Sequence, residues 1–205
     1  MATKARRAAT PTKRTPDRRV QRTRRLLQDA LNALMIEKGY EATTVQDIID
    51  RADVGRSTFY AHFADKETLL TSRLEDLRAF LLERQRAARG NGRARGLGFS
   101  LPMLEHAQGH LELYRAIVGR ESGAFVLKRV HRTIAELALA DLKAMGYKGT
   151  AAQRDLTAEY VAGAFMAVLT WWLDRGAELS PQEVDAIFRR LVTRGLAAES
   201  GLSWS

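Results

Sequence analysis

An all-α fold in two helical parts is predicted by three features of the sequence. Apolar residues recur every three to four positions through most of the chain, no stretch alternates with strand period, and helix caps and breakers fall between the periodic runs. The first run joins Val20, Leu27, Leu31, Leu34 and Met35 over about five helical turns and closes at Gly39. Residues 43–70 then read as three helices with two breaks. Thr44 caps the first, with Asp47 three positions on and Val45, Ile48 and Ile49 facing inward. Asp53-Val54-Gly55 interrupts before a second helix near Arg56, and Asp65 caps a third, which runs through Leu69, Leu70, Leu74, Leu77, Phe80 and Leu81. That helix dissolves at Arg89 into a glycine and arginine loop, a joint between two parts of the chain. Further helices are expected near 101–109, 111–118, 122–145, 151–175 and 181–197, about nine in all. Ser180-Pro181-Gln182-Glu183 is the clearest start signal, with a serine cap, proline at the first helical position and glutamate at the third.

With 205 residues, 45% of them hydrophobic, the chain has enough apolar material for a buried core. It has no cysteine, which excludes disulfides, thiol nucleophiles and thiolate metal sites and fits a reducing cytoplasm. The longest uncharged run, Tyr160 to Leu173, is 14 residues, short of the roughly 18 to 20 of a spanning helix, so no membrane partner is expected. The charge of +9 is concentrated at one end: residues 1–25 hold ten basic side chains against Asp17, leaving 23 basic and 23 acidic residues in the rest. Residues 1–17, with Pro11 and Pro16 and little apolar content, read as a disordered basic arm drawn to polyanions, nucleic acid first.

Residues 43–63 have the anatomy of a helix-turn-helix, with Ile48, Val54 and Phe59 fixing the crossing of two short helices. The second would be the reader. It offers Arg56, Ser57, Thr58, Tyr60 and His62, hydrogen-bonding groups suited to base edges and phosphates, while Lys66 begins the next helix in reach of a phosphate. Phe59 fills the core beneath the turn, which releases Tyr60 for phosphate.

These residues resemble the tetracycline-repressor (TetR) family of bacterial transcription regulators over about residues 18–70. The matching pattern is Gly39-Tyr40, the Thr43-Thr44-Val45 opening, Asp47-Ile48, Ala52, Thr58-Phe59-Tyr60, His62-Phe63 and Lys66-Glu67 before Leu69-Leu70. Two positions depart from it: Asp53 replaces the usual turn glycine and Gly55 the usual capping serine, both conformationally tolerable. The resemblance implies a homodimer whose two readers enter successive major grooves of a near-palindromic double-stranded operator, and a C-terminal domain whose small-molecule effector spreads them. Carried over by position, it assigns DNA contact to Thr44, Gln46, Arg56, Ser57, Thr58, Tyr60, His62 and Lys66. It divides the chain into the arm 1–17, a DNA-binding domain 18–66 and a ligand-binding and dimerisation domain 67–205, and it lays the arm along phosphates or in a minor groove.

The apolar run 160–173 and the last helix carry more apolar surface than one packed face needs. A twofold four-helix bundle would bury it, with Phe165, Leu169, Trp172, Ile187 and Leu191 as seam candidates. Phe99, Met103, Leu104, Tyr114, Phe125, Phe165 and Trp171 are candidates to line an effector pocket, although apolar side chains at helical spacing are core far more often than ligand contacts. Trp171 and Trp172 point about 100° apart, so one suits the pocket and the other the seam unless both are core. An apolar or aromatic effector is expected. No cofactor, metal or catalysis is expected: His106 and His110 have zinc-ligand spacing, but Ala107 stands where a catalytic glutamate would be, and the glycines of residues 90–96 follow no strand. No nucleophile elbow is present. The function predicted is a ligand-released DNA-binding regulator, a repressor because an operator-bound dimer blocks polymerase without activating contacts. The rival readings are a coactivator of the same shape without DNA binding and a non-specific nucleic-acid binder working through the arm.

Overall fold

The computed structural model describes residues 18–90, 96–117 and 121–200; the arm 1–17 and most of the glycine and arginine loop lie outside them. Among the described residues nine α-helices and no strand occur. They are α1 Arg18–Lys38, α2 Val45–Ala52, α3 Arg56–His62, α4 Lys66–Gly90, α5 Ser100–Gly109, α6 Leu111–Ile117, α7 Glu121–Ala144, α8 Ala151–Asp174 and α9 Pro181–Ser200.

The first three helices close over Leu27, Leu31, Ile48 and Phe59, and Leu69 of α4 completes this core; all five side chains are fully buried. Val20 is exposed, so the apolar stripe of α1 begins only at Leu27. Local chemistry sets the boundaries. Gly39 ends α1 at φ 85, where a Cβ would be strained, and the buried Thr43 hydroxyl donates to its carbonyl at 2.7 Å. Thr44 and Asp47 form a complete capping box, Asp65 Oδ1 accepts from the Thr68 amide at 2.6 Å, and the Ser180–Glu183 box opens α9.

The long α4 carries the chain into the second core. There α7 packs along α8, while α9 lies against α5 and α8. Phe99, Phe165 and Phe188 stack edge to face, with centroids 5.4 and 5.2 Å apart, and so tie α8 and α9 to the start of α5. Two buried aspartates hold the joint between α4 and α5. Asp141 of α7 accepts from Arg89 at 2.7 Å and from the Gly98 amide at 3.1 Å; Asp185 of α9 accepts from Ser100, and its partner Arg189 donates to the carbonyls of Gly96 and Leu97. A buried carboxylate requires such pairing, and here the pairing fixes an irregular segment that side-chain packing alone would not hold. α8 is the one described helix long and apolar enough to cross a membrane, yet seven of its residues, Phe165 and Trp172 among them, pack inside the protomer as core.

Candidate nucleic-acid interface and internal cavity

The turn between α2 and α3 is built on Asp53 in the left-handed region (φ 51, ψ 52), with its amide bonded back to Asp50 and the Val54 amide to Ile49. Gly55 caps α3 at φ −70, ψ 149 and contributes no side-chain bond. Beyond it only Phe59 of α3 is buried, so the remaining side chains of this two-turn helix face outward or lie half-buried. Arg56, Ser57, Thr58, Tyr60 and His62 have no side-chain hydrogen-bond partner among the described residues; Arg56 rests only on the Tyr60 ring, 5.7 Å from its centroid. These five groups are uncommitted hydrogen-bonding side chains around the outer sides of α3. Arg24 lies 4.7 Å over the Phe63 ring, which brings the arginine-rich start of α1, including the exposed Arg18, Arg22 and Arg25, beside the end of α3.

Two sequence expectations are corrected here. Lys66 does not point at solvent phosphate: its ammonium donates to the carbonyls of Thr43 at 2.7 Å, Tyr40 at 3.0 Å and Glu41 at 3.4 Å, and three acceptors exhaust three protons. Thr44 donates its hydroxyl proton to Asp47 at 2.6 Å, so it has no proton to give to DNA. Gln46 is exposed and bonds Asp50 at 2.7 Å. Lys38 clamps the same corner, 2.8 Å from Asp47. That ammonium first, then the Thr44 hydroxyl and amide, hold the Asp47 carboxyl far below the ordinary carboxylate range.

A cavity of about 270 Å³ opens where α1, α4, α6 and α7 meet, with the end of α5 closing one side. Tyr114 lines it as expected. Phe99 and Met103 do not, being fully buried in the second core, and Phe125 and Trp171 are surface side chains at 40% and 45% exposure. Trp171 instead borders a shallow groove between α7 and α8, under Arg175. The polar lining is His106 and His110, one of which the sequence suggested for a pocket-lining or solvent role, with Asn32, Arg73 and Asp76, which it did not single out. His106 and His110 stack with ring centroids 4.3 Å apart, and among the described residues no group of three metal-ligating side chains occurs. Burial first, then His110 and Arg73, push His106 down to about 4, so it is neutral near pH 7.

The seam is corrected as well. Phe165, Leu169 and Trp172 are at most 1% exposed within one protomer, and Trp172 donates its indole proton to the Leu179 carbonyl at 2.9 Å, so none of the three has surface to offer a partner. The exposed apolar stripe of α8 is Leu156, Tyr160, Gly163, Ala167 and Trp171, and α9 exposes Ile187 and Leu191.

Comparison with known proteins agrees with this architecture. Residues 27–72 match the model for bacterial regulatory proteins of the tetR family, and residues 98–194 match a transcriptional regulator C-terminal region. The uncharacterized HTH-type transcriptional regulator YxbF of Bacillus subtilis (strain 168) is 43% identical over 60 residues, 29% of this chain. The chain spans only 16% of that relative's length. A TetR transcriptional regulator from Streptococcus agalactiae 2603V superposes with a TM-score of 0.64 at 25% identity, over 86% of this chain and 96% of that one. A TetR-type protein from Syntrophomonas wolfei str. Goettingen gives 0.66 at 19% identity, over 86% and 96%. Helix-turn-helix, core and both family matches together place the chain in the tetR family of bacterial regulatory proteins.

Proposed function

We propose that this protein is a sequence-specific DNA-binding transcription regulator that grips a near-palindromic operator as a homodimer and is released by a small effector. The observation that carries the reading is the set Arg56, Ser57, Thr58, Tyr60 and His62, groups with no side-chain hydrogen-bond partner among the described residues, on a helix whose only buried side chain is Phe59. Arginine can bond a guanine edge bidentately, and the hydroxyls suit phosphate or base. On this reading residues 18–66 form the DNA-binding domain and residues 67–205 the domain that pairs and senses.

Pairing follows from surface chemistry. Leu156, Tyr160 and Leu191 are 72%, 57% and 62% exposed, and a twofold bundle of α8 and α9 would take them out of water. Two readers on one twofold axis then demand half-sites about one helical turn apart. A bound dimer of this kind blocks polymerase by occupancy, which favours repression, and a cytoplasmic location goes with the role. The cavity has a wall from α1, so an effector seated there bears on the DNA-binding domain directly.

Selection from a random double-stranded library on the full-length protein at about 150 mM salt tests this, because non-specific binding falls steeply with salt. A near-palindromic motif is expected, and Arg56→Ala should relax one base position at a cost of about 1 to 3 kcal/mol. Enrichment of no motif, with binding lost on deleting residues 1–17, would make the basic arm the nucleic-acid ligand; no binding at all would leave a protein coactivator of the same shape.

A further inference from the structure

We propose that the cavity between α1, α4 and α6 takes a small aromatic carboxylate, its carboxylate held by Arg73 and Tyr114 and its ring among Phe80, Leu113 and Val130. The inference rests on the effector reading above and narrows it from apolar compounds to amphipathic anions.

Three polar groups on the cavity wall are left without adequate partners. Tyr114 is 6% exposed, and its hydroxyl has no hydrogen-bond partner among the described residues. A buried hydroxyl left unbonded is costly, and one that borders a cavity is most simply completed by what enters the cavity. His106 has no side-chain hydrogen bond either, and its neutral ring keeps one donor and one acceptor. Arg73 is half-buried with no carboxylate within ion-pairing distance among the described residues. Among the described residues its hydrogen-bond partner is neutral: with the Asn32 amide assigned so that its oxygen faces the guanidinium, that oxygen accepts from Nη2 at 3.2 Å and Nε at 3.3 Å. A guanidinium fork matched only by an amide oxygen is under-neutralised, and a carboxylate fits it bidentately.

Asp76 also lines the cavity, but its exposed carboxylate accepts from Gln28 of α1 at 2.7 Å. Arg73 is the cation whose charge reaches both His106 and Tyr114 on the inner wall. The remainder is apolar and aromatic: Phe80 and Tyr114 flank His106 with centroids 5.9 and 6.3 Å from its ring, opposite aliphatic side chains of α4, α6 and α7. Because Asn32 belongs to α1, a carboxylate that captures Arg73 removes one of the polar ties between α4 and α1, leaving those of Gln28 to Ser72 and Asp76. Effector binding and loosening of the reader are then one event.

Calorimetric titration of the full-length protein with benzoate and with benzamide, its near-isosteric neutral analogue, tests the proposal. Benzoate should bind at least about tenfold more tightly, Arg73→Gln should erase that preference, and Tyr114→Phe, which leaves no group unpaired, should weaken benzoate about threefold to tenfold. Equal affinity for the two compounds, binding of neither, or a preference that survives both substitutions overturns it. Should Arg73→Gln not fold, Tyr114→Phe decides alone. A parallel competition for the selected operator separates this inference from the function it rests on. Benzoate binding without DNA release upholds the anion site and overturns the effector role, whereas release by benzamide as readily as by benzoate overturns the anion class and leaves the regulator standing.

Discussion

Lys66 lies 4.5 Å from the centroid of the Tyr40 ring, and its ammonium closes the loop between α1 and α2 by bonding the carbonyls of Tyr40 and Thr43. The first residue of α4 thus fastens the connection that aims α2, and through the turn α3. Lys66→Ala should cost about 1 to 3 kcal/mol in urea unfolding, the range for hydrogen bonds to a charged group. The slope of log affinity for DNA against log salt should stay unchanged, because no phosphate contact is lost. A slope lower by about one unit with stability intact would return Lys66 to the phosphate backbone.

Gly55 is a second place where stability and reading meet. Its φ of −70 suits any residue, and an added Cβ would find only ordinary contacts, the nearest being Thr58 Oγ1 at 3.7 Å. A serine there can accept from the Thr58 amide and narrows the unfolded ensemble, so Gly55→Ser should stabilise by about 0.5 to 1 kcal/mol. Chemical denaturation of the two proteins side by side measures this, and a loss of stability would mean that the cap geometry of α3 is misassigned.

What could be foreseen divides along physical lines. The Thr44–Asp47 and Ser180–Glu183 boxes and the left-handed Asp53 were legible because their partners stand within three residues and the chemistry is local. Lys66 was not, since phosphate and carbonyl attract the same ammonium and the fold-back of residues 40–43 makes the choice. α8 is apolar on more than one face, so its sequence alone leaves open which face meets α7 and α9. Trp171 and Trp172 diverge as their spacing requires, but neither takes its expected place: Trp172 is buried core, and Trp171 lies outside under Arg175. Tyr114 was a candidate lining residue, but its meeting with Asn32 and Arg73 was not legible because the three come from separate helices.

Burial along α8 decides which substitutions can probe association. Phe165→Glu would place a carboxylate between the rings of Phe99 and Phe188, so it should abolish cooperative folding instead of yielding folded monomers. Leu191→Glu and Tyr160→Glu, at exposed positions, should keep their helical circular dichroism and sediment as monomers. If both remain dimeric, the twofold seam lies away from α8 and α9; if Phe165→Glu gives a helical monomer, the edge-to-face stack is not core.

The neutral His106 makes stability fall on the acid side. Its folded pKa of about 4 lies below the ordinary 6.5, so the unfolded chain binds the proton more readily. The contribution is complete above about pH 6.5 and is lost as pH falls from there toward 4. The groups facing His106 do not reverse this sign, because His110 and Arg73 both act to lower its pKa and Tyr114 stays protonated as burial raises its own. Capping carboxylates held low, such as Asp65 and Glu183, give up their share only near and below their ordinary values of 3.8 and 4.5, at the acid edge of that range. Melting temperature followed between pH 6.5 and 5 should therefore drop for the wild type and stay flatter for His106→Gln. Parallel curves would mean that His106 is solvated and that the cavity wall admits water freely, which would also weaken the case for an electrostatic hold on a carboxylate there.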